Sequence, residues 1–319
     1  MRPLTVLLVK PRGFCAGVER AIRTVEEALA RFGAPVFVRH QIVHNAHVIG
    51  QLAAMGAIFV DELDAVPDGA PVIFSAHGVA QSVRAEAQRR GLAFIDATCP
   101  LVTKVHREVQ RHASEGRKVV LIGHRGHPEV VGTLGQAASE TVILVQSAQE
   151  AAALPVDEAR SYGLVMQTTL SMIDAEETAA VLRARIPRLH EPPRSDLCYA
   201  TTNRQMAVRA IANRCDAIVV VGGANSSNSR RLVEVARIAV CPKAVLVQNA
   251  GGLPPSFLNR VTTLGLTAGA STPEVSVQEI LQSLARRFTV TVEEIVTTAE
   301  GTHFNLPRFS AGQNHHAPQ

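Results

Sequence analysis

The sequence predicts an α/β protein of three related units with mainly parallel sheets, arranged pseudo-threefold around a central site. Two observations carry this. Short β-branched runs alternate with segments of helical period, the pattern of parallel βαβ units. Three cysteines also recur in similar settings: Cys15 in PRGFCAGVERAI, Cys99 in DATCPLVTKVHREV and Cys198 in SDLCYATTNRQMAVRAI. Each stands immediately ahead of an amphipathic stretch, as a weak internal repeat would place it. The repeat divides the chain into units at 1–98, 99–197 and 198–300, with a flexible tail at 301–319.

In the first unit, the Val-, Ile- and Phe-rich runs at 5–9, 36–38, 58–60, 72–74 and 94–95 predict strands. Between the first two, Val18, Ala21, Ile22, Val25, Ala28 and Leu29 share one face of a helix. The second unit offers strands at 119–122, 142–145 and 164–166, and the third at 218–221, 244–247 and 261–266. The segment before Cys198, RLHEPPRSDL, holds no good strand, which makes the third copy the loosest. FSAHGV, LIGHRGHPEV and VVGGANSSNSRR read as equivalent polar loops at strand ends, one per unit.

Composition narrows the function. The 32 Lys and Arg outnumber the 28 Asp and Glu by a net +4, spread along the chain without a basic run. With two Tyr and no Trp there are few platforms for stacking bases, so no nucleic-acid partner is expected. A small anionic ligand fits this balance. No apolar run approaches the ~18–20 residues that span a bilayer, so no membrane partner is expected. MRPLTVLLVKPRGF lacks the long apolar stretch and cleavage site of a signal peptide, and the expected location is cytoplasmic. No GxGxxG follows a strand and no GxxxxGK[ST] occurs, which removes the dinucleotide and P-loop readings. Five cysteines without an export signal argue against a disulfide framework.

In open parallel sheets, ligands collect beyond the carboxyl ends of the strands. The unusual polar residues cluster at such ends: His44-Asn45, Ser75 to His77, Cys99, His124 to Glu129, Gln167 to Thr169, Cys198, Asn225 to Ser229 and Thr267 to Ser271. A cysteine at a helix N-terminus favours the thiolate. Three thiolates from three units can hold a zinc ion with an open position, or an iron–sulfur cluster with one iron lacking a protein thiolate. The alternative is three small buried hydrophobes. Cys215 and Cys241, in apolar surroundings, read as core. His44, His77 and His127 occupy matching positions and suggest donors for an anion. The NSSNS run at 225–229 opens a helix whose free N–H groups favour phosphate, and Ser271 adds a hydroxyl. Glu129 is either a general acid kept protonated by burial or a first-turn helix residue.

The motifs PRGFCAGVERAI, VRHQIVHN, FSAHGV, DATCPLVTKVH, GHRGHPEVVGTLGQ, QTTLS, CYATTNRQ, NSSNSRRL and TAGAS closely resemble the LytB/IspH family of 4-hydroxy-3-methylbut-2-enyl diphosphate reductases. The resemblance runs in order from about residue 4 to residue 290. It implies a [4Fe–4S] cluster on Cys15, Cys99 and Cys198, with one iron not bound by protein thiolate and free to meet substrate. It implies diphosphate binding by His44, His77, His127, Ser226, Ser227, Asn228 and Ser271, proton delivery by Glu129, catalytic roles for Thr168 and His127 beside it, and substrate contact by Thr168. The implied reaction is the two-electron reductive dehydroxylation of (E)-4-hydroxy-3-methylbut-2-enyl diphosphate to isopentenyl and dimethylallyl diphosphate, the last step of the non-mevalonate (MEP) pathway. Ferredoxin or flavodoxin is the implied electron donor. Residues 249–255 and the histidine-containing tail depart from the family pattern without touching a matched motif.

Overall fold

The computed structural model describes residues 1–241 and 243–308. The chain opens with β1 (Arg2–Lys10) and α1 (Ala16–Phe32). A sheet follows with the order β3-β2-β4-β5, made of β2 (Val36–Arg39), β3 (Ala57–Val60), β4 (Pro71–Phe74) and β5 (Ala93–Asp96). Its crossovers carry α2 (Ala46–Ala54) and α3 (Gln81–Arg89). After α4 (Pro100–Ser114) comes a second sheet of β6 (Lys118–Ile122), β7 (Val142–Val145), β8 (Tyr162–Met166) and β9 (Leu189–His190). Its order is β7-β6-β8-β9, connected by α5 (Pro128–Leu134), α6 (Ala148–Ala153) and α7 (Met172–Arg185). Beyond α8 (Tyr199–Ala212) lie β10 (Ala217–Val221), α9 (Ser227–Ile238), β11 (Ala244–Val247), β12 (Thr263–Ala268), α10 (Glu274–Ala285) and β13 (Phe288–Val296).

Every strand pairing among the described residues is parallel. The residue types dictate this. AIVVV of β10 is buried along its whole length, as a strand covered on both faces must be. On α1, Ala21, Val25, Ala28 and Leu29 form the buried stripe, and Gly33 ends the helix at φ 75° with its N–H on the Leu29 carbonyl. Every predicted strand run overlaps an observed strand.

The unit at 1–98 needs correction at its start rather than at 98, because β1 does not join the sheet formed by β2 to β5. The third sheet runs β11-β10-β12-β1-β13, with Thr5 beside Thr263 and Arg2 beside Phe288. Leu4, Val6, Leu7, Leu8 and Val9 are all buried, so both faces of β1 are covered, and β12 and β13 pair along its two edges. Chain adjacency suggested a nearer partner. Laying the sheet orders over one another makes β5, β9 and β1 equivalent, and a cysteine follows each. Each sheet thus delivers its cysteine to the start of the next helix, Cys15 coming from the third sheet.

Three further expectations change. A short strand does precede Cys198, the two-residue β9 paired with β8. The nine-residue β13 lies outside the strand runs expected above, although FTVTVEEIV alternates β-branched and apolar residues as a strand does; it forms the largely exposed edge of the third sheet. Of the tail, residues 309–319 lie outside the described residues. Residues 301–308 carry no helix or strand, yet they are tied down: Arg20 Nε donates to the Asn305 carbonyl at 2.7 Å, and Phe304 and Leu306 are partly buried.

Candidate active site

The three cysteines are the N-cap residues of α1, α4 and α8, and none spends its side chain on the cap. Their backbone N–H groups are tied in one repeated way. Cys15 donates to the Ala270 carbonyl (3.2 Å), Cys99 to Ala76 (3.0 Å) and Cys198 to Thr168 (3.0 Å). Ala270, Ala76 and Thr168 lie just beyond the ends of β12, β4 and β8, the strands beside those that deliver the cysteines. Each sulfur is therefore registered against a strand-end loop that also lines the cavity.

One cavity of about 110 Å³ gathers Cys15, Cys99, Cys198, His44, His77, His127, Glu129, Thr168, Ser226, Ser227, Asn228 and Ser271. All the residues predicted for the site meet there. Val18, Val43, Leu101 and Val102 give it an apolar side. Gly17 leaves room for the sulfurs: a Cβ there would stand 2.7 Å from Cys99 Sγ and 3.9 Å from Cys15 Sγ. No role for Gly17, Thr169 or Thr201, which also line the cavity, was read from the sequence. Thr169 belongs to a polar cluster visible there, and its hydroxyl links to Ser227 Oγ at 3.3 Å. His124, from another such cluster, faces away and meets Arg231 Nη2 at 2.6 Å.

The expected thiolate preference is reversed. Burial pushes the Cys99 thiol up to about 12 and the Cys198 thiol up to about 11, and raises that of Cys15. The neighbouring cysteines push Cys99 and Cys198 further the same way, while the helix-start N–H groups oppose it only in part. The free site holds three thiols, and a metal group would have to displace their protons. Among the described residues, no group of three or more His, Cys, Asp or Glu is disposed to hold a single metal ion. The donor set of three soft sulfurs lining one cavity, with Gly17 leaving space beside those of Cys99 and Cys15, fits an iron–sulfur cluster.

The opposite wall is polar but neutral. His44 and His77 stack with ring centroids 4.2 Å apart, and His127 meets both edge-on at 5.6 and 5.8 Å. Burial holds His44 down to about 4 and His127 to about 3, and keeps His77 well below its ordinary value. The three histidines do not occupy matching positions: His44 and His127 follow the equivalent strands β2 and β6, whereas His77 follows β4. The FSAHGV loop accordingly corresponds to QTTLS after β8 and TAGAS after β12. Ser226 caps α9 by accepting from the Ser229 N–H, and Ser271 Oγ donates to the His44 carbonyl at 3.2 Å. His44 Nε2 and both Asn228 side-chain polar atoms are buried without a partner. A polar ligand would recover the free energy these orphaned atoms cost.

Glu129 sits in the first turn of α5, buried to 2% exposure. Its Oε1 accepts the Thr168 N–H at 2.6 Å, and Oε2 lies 3.0 Å from Thr168 Oγ1. Burial pushes its carboxyl up to about 7, against the two Thr168 hydrogen bonds, which act to lower it.

Three parallel sheets that meet at one cavity of cysteines, imidazoles and hydroxyls make this an α/β protein with a ligand site at the strand ends. The chain belongs to the LytB family, whose model, described as LytB protein, matches residues 6–285. A curated relative from Phenylobacterium zucineum, named 4-hydroxy-3-methylbut-2-enyl diphosphate reductase, is 55% identical over 97% of this chain and 98% of its own. The solved E-1-hydroxy-2-methyl-but-2-enyl-4-diphosphate reductase from Plasmodium falciparum superposes with a TM-score of 0.92 at 39% identity, covering 96% of each chain. A second solved structure, of (E)-4-hydroxy-3-methyl-but-2-enyl diphosphate reductase, is titled the terminal enzyme of the non-mevalonate pathway. It matches 89% of this chain and 99% of its own with a TM-score of 0.64 at 30% identity.

Proposed function

We propose that the chain is a 4-hydroxy-3-methylbut-2-enyl diphosphate reductase acting in the cytoplasm. Its reaction is the two-electron, two-proton loss of the allylic hydroxyl as water, giving isopentenyl and dimethylallyl diphosphate as the last step of the non-mevalonate pathway. The observation that carries this is the pairing, in one cavity, of three free sulfurs with an acid that burial holds near pH 7. Cys15, Cys99 and Cys198 would hold a [4Fe–4S] cluster with one iron free of protein thiolate. When bound, the cluster supplies the two electrons, received from ferredoxin or flavodoxin, and a Lewis acid for the hydroxyl.

The protein's own groups do the rest. Asn228, Ser226, Ser227 and Ser271 line the wall where orphaned polar atoms await a ligand, and they bind the diphosphate with His44 and His77. These donors are neutral, so the anion is held by hydrogen bonds rather than ion pairs. The apolar side formed by Val18, Val43, Leu101 and Val102 takes the hydrocarbon. Protonated Glu129 places its proton on Oε2, because Oε1 is occupied as acceptor of the Thr168 N–H. Thr168 Oγ1 donates to Oε2 when the carboxyl is ionised; on the protonated carboxyl that bond reverses, Oγ1 accepts, and its own O–H is free for substrate, a two-member relay.

Anaerobically purified protein tests the reading. It should be brown, contain iron and acid-labile sulfide, and with an artificial reductant yield both five-carbon diphosphates. A colourless zinc-containing protein, or iron–sulfur protein without turnover, overturns it.

A further inference from the structure

Outside the cavity, three basic side chains repeat one arrangement around the cysteines. Arg20 lies on α1, just over a turn beyond Cys15, and its Nη1 donates to the carbonyls of Ala97 (3.1 Å) and Thr98 (3.0 Å), the two residues before Cys99. Lys104 holds the same place on α4 beyond Cys99, and its Nζ donates to the carbonyls of Arg194 (3.0 Å) and Ser195 (3.3 Å) and to Asp196 Oδ1 (3.0 Å), just ahead of Cys198. Arg204, on α8 beyond Cys198, returns to the start: its Nη2 donates to the carbonyls of Gly13 (2.8 Å) and Phe14 (3.3 Å), the two residues before Cys15. The direction is cyclic, each cysteine's helix reaching for the approach to the next cysteine.

The three ties are unequally buried. Arg204 is 0% exposed and its charge is met by both carboxylate oxygens of Glu300, at 3.0 and 3.2 Å. Lys104 is partly exposed and pairs with buried Asp196, whose other oxygen accepts the Met166 N–H. Arg20 reaches only carbonyls among the described residues, those of Ala97, Thr98 and Asn305. A cysteine's own N–H is already fixed to Ala270, Ala76 or Thr168. The cation adds a second hold on the same approach: the peptides before Cys15 and Cys99 are bound at both N–H and C=O, and before Cys198 the carbonyls of Arg194 and Ser195 are bound.

We infer that Arg20, Lys104 and Arg204 form a ring of positioning residues that sets the three cysteines relative to one another across the units. This deepens the proposed function, on which it rests for the identity of the group the sulfurs hold. The ring explains a placement that local packing does not: a cation serving only its own helix would have no reason to end on the carbonyls before a cysteine of another unit. Charged donors on carbonyls are also stronger than neutral ones, which suits a tie that crosses from one unit to the next.

Because each tie crosses to the next cysteine, the test is which cysteine responds. Alkylation of the metal-free protein, resolved cysteine by cysteine by mass spectrometry, is compared for wild type, Lys104→Met, Lys104→Arg, Arg20→Met and Lys104→Met/Asp196→Asn. Lys104→Met should speed reaction of Cys198 and leave Cys99, on its own helix, and Cys241, in the core, at wild-type rates. Arg20→Met should speed Cys99 and not Cys15. Lys104→Arg should restore the wild-type rate. The double variant should stay fast, since Asp196→Asn relieves the stranded carboxylate without restoring the clamp on the carbonyls. After anaerobic reconstitution, Lys104→Met should release iron to a chelator about tenfold faster than wild type, the usual effect of losing support to a metal ligand. Uniform acceleration of all five cysteines, acceleration of the cysteine on the mutated helix, or a double variant back at the wild-type rate would each overturn the ring. Failure of the wild type to take up iron and sulfide would instead count against the proposed function, while the alkylation pattern still decides the ring.

Discussion

His127 Nδ1 accepts the backbone N–H of Glu129 at 3.1 Å, so one helix start fixes both the imidazole tautomer and the approach of the buried acid. With Nδ1 occupied as acceptor, the neutral ring carries its proton on Nε2. His127 is thereby a hydrogen-bond donor to the cavity, and the proton that moves in the reaction is left to Glu129.

Glu129→Gln keeps the size of the side chain but supplies no proton. Its kcat should fall about 10²–10⁴-fold, the worth of a positioned acid, with the iron content unchanged. Wild-type turnover should decline as pH rises through about 7, where the buried carboxyl ionises, and that limb should be missing in the variant. Anaerobic assay with an artificial reductant across neutral pH measures both.

Thr168→Val removes the relay's second member and leaves Glu129 Oε2 without its partner. We expect kcat to fall on the order of 10²-fold, with Thr168→Ser recovering most of it because the hydroxyl returns. Equal activity of the Val and Ser variants would take the hydroxyl out of the relay.

Cys15→Ser, Cys99→Ser and Cys198→Ser should each lose iron and nearly all activity, while Cys215→Ser and Cys241→Ser keep both. Cys241 Sγ points at the backbone carbonyls of Cys215 and Lys243 in the core of the third unit, away from the cavity. Iron per chain, assayed across the five variants, separates the two groups.

The site was more legible in the sequence than the way the chain encloses it. Cys15, Glu129 and the NSSNS run announce themselves because each is an unusual residue at a strand end or helix start, and strand ends in parallel sheets converge. The destination of β1 was hidden, since LTVLLV reads as a buried strand in any sheet and names no neighbour. The pKa of the cysteines was misjudged for a related reason: the helix-start contribution is local and readable, whereas burial by three units at once is not. Gly17 could not be distinguished from an ordinary first-turn glycine without the Cys99 sulfur, which comes from a distant part of the chain.

Asn228→Ala should separate binding from folding. Both polar atoms of the Asn228 side chain are buried without a partner in the free protein, so their removal should leave its stability unchanged or raise it. Substrate binding should weaken by about 1–3 kcal/mol, seen as a higher KM with the cluster spectrum of the free enzyme intact.

Stability should depend on pH in two opposed ways. His44 and His127 have folded-state values near 4 and 3, below the ordinary 6.5, so their contribution is present above 6.5 and is lost as pH falls through those values. Glu129 works oppositely: its value near 7 lies above the ordinary 4.5, so its contribution is present below 4.5 and is lost as pH rises through 7. Thermal unfolding of the metal-free protein should therefore show Glu129→Gln gaining Tm over wild type on the alkaline side, and His127→Asn gaining on the acid side.

The placement of β1 has a consequence for how the chain is made. β1 is translated well before either of its two neighbours, β12 and β13, which begin at Thr263 and Phe288. Until they emerge from the ribosome, an apolar strand waits with both edges open, the condition in which nascent chains pair wrongly and aggregate. Contacts of such long sequence separation also form slowly. Cys15 is brought to its fellow cysteines by that closure, so translation products that end before β12 and β13 cannot assemble the reaction chamber.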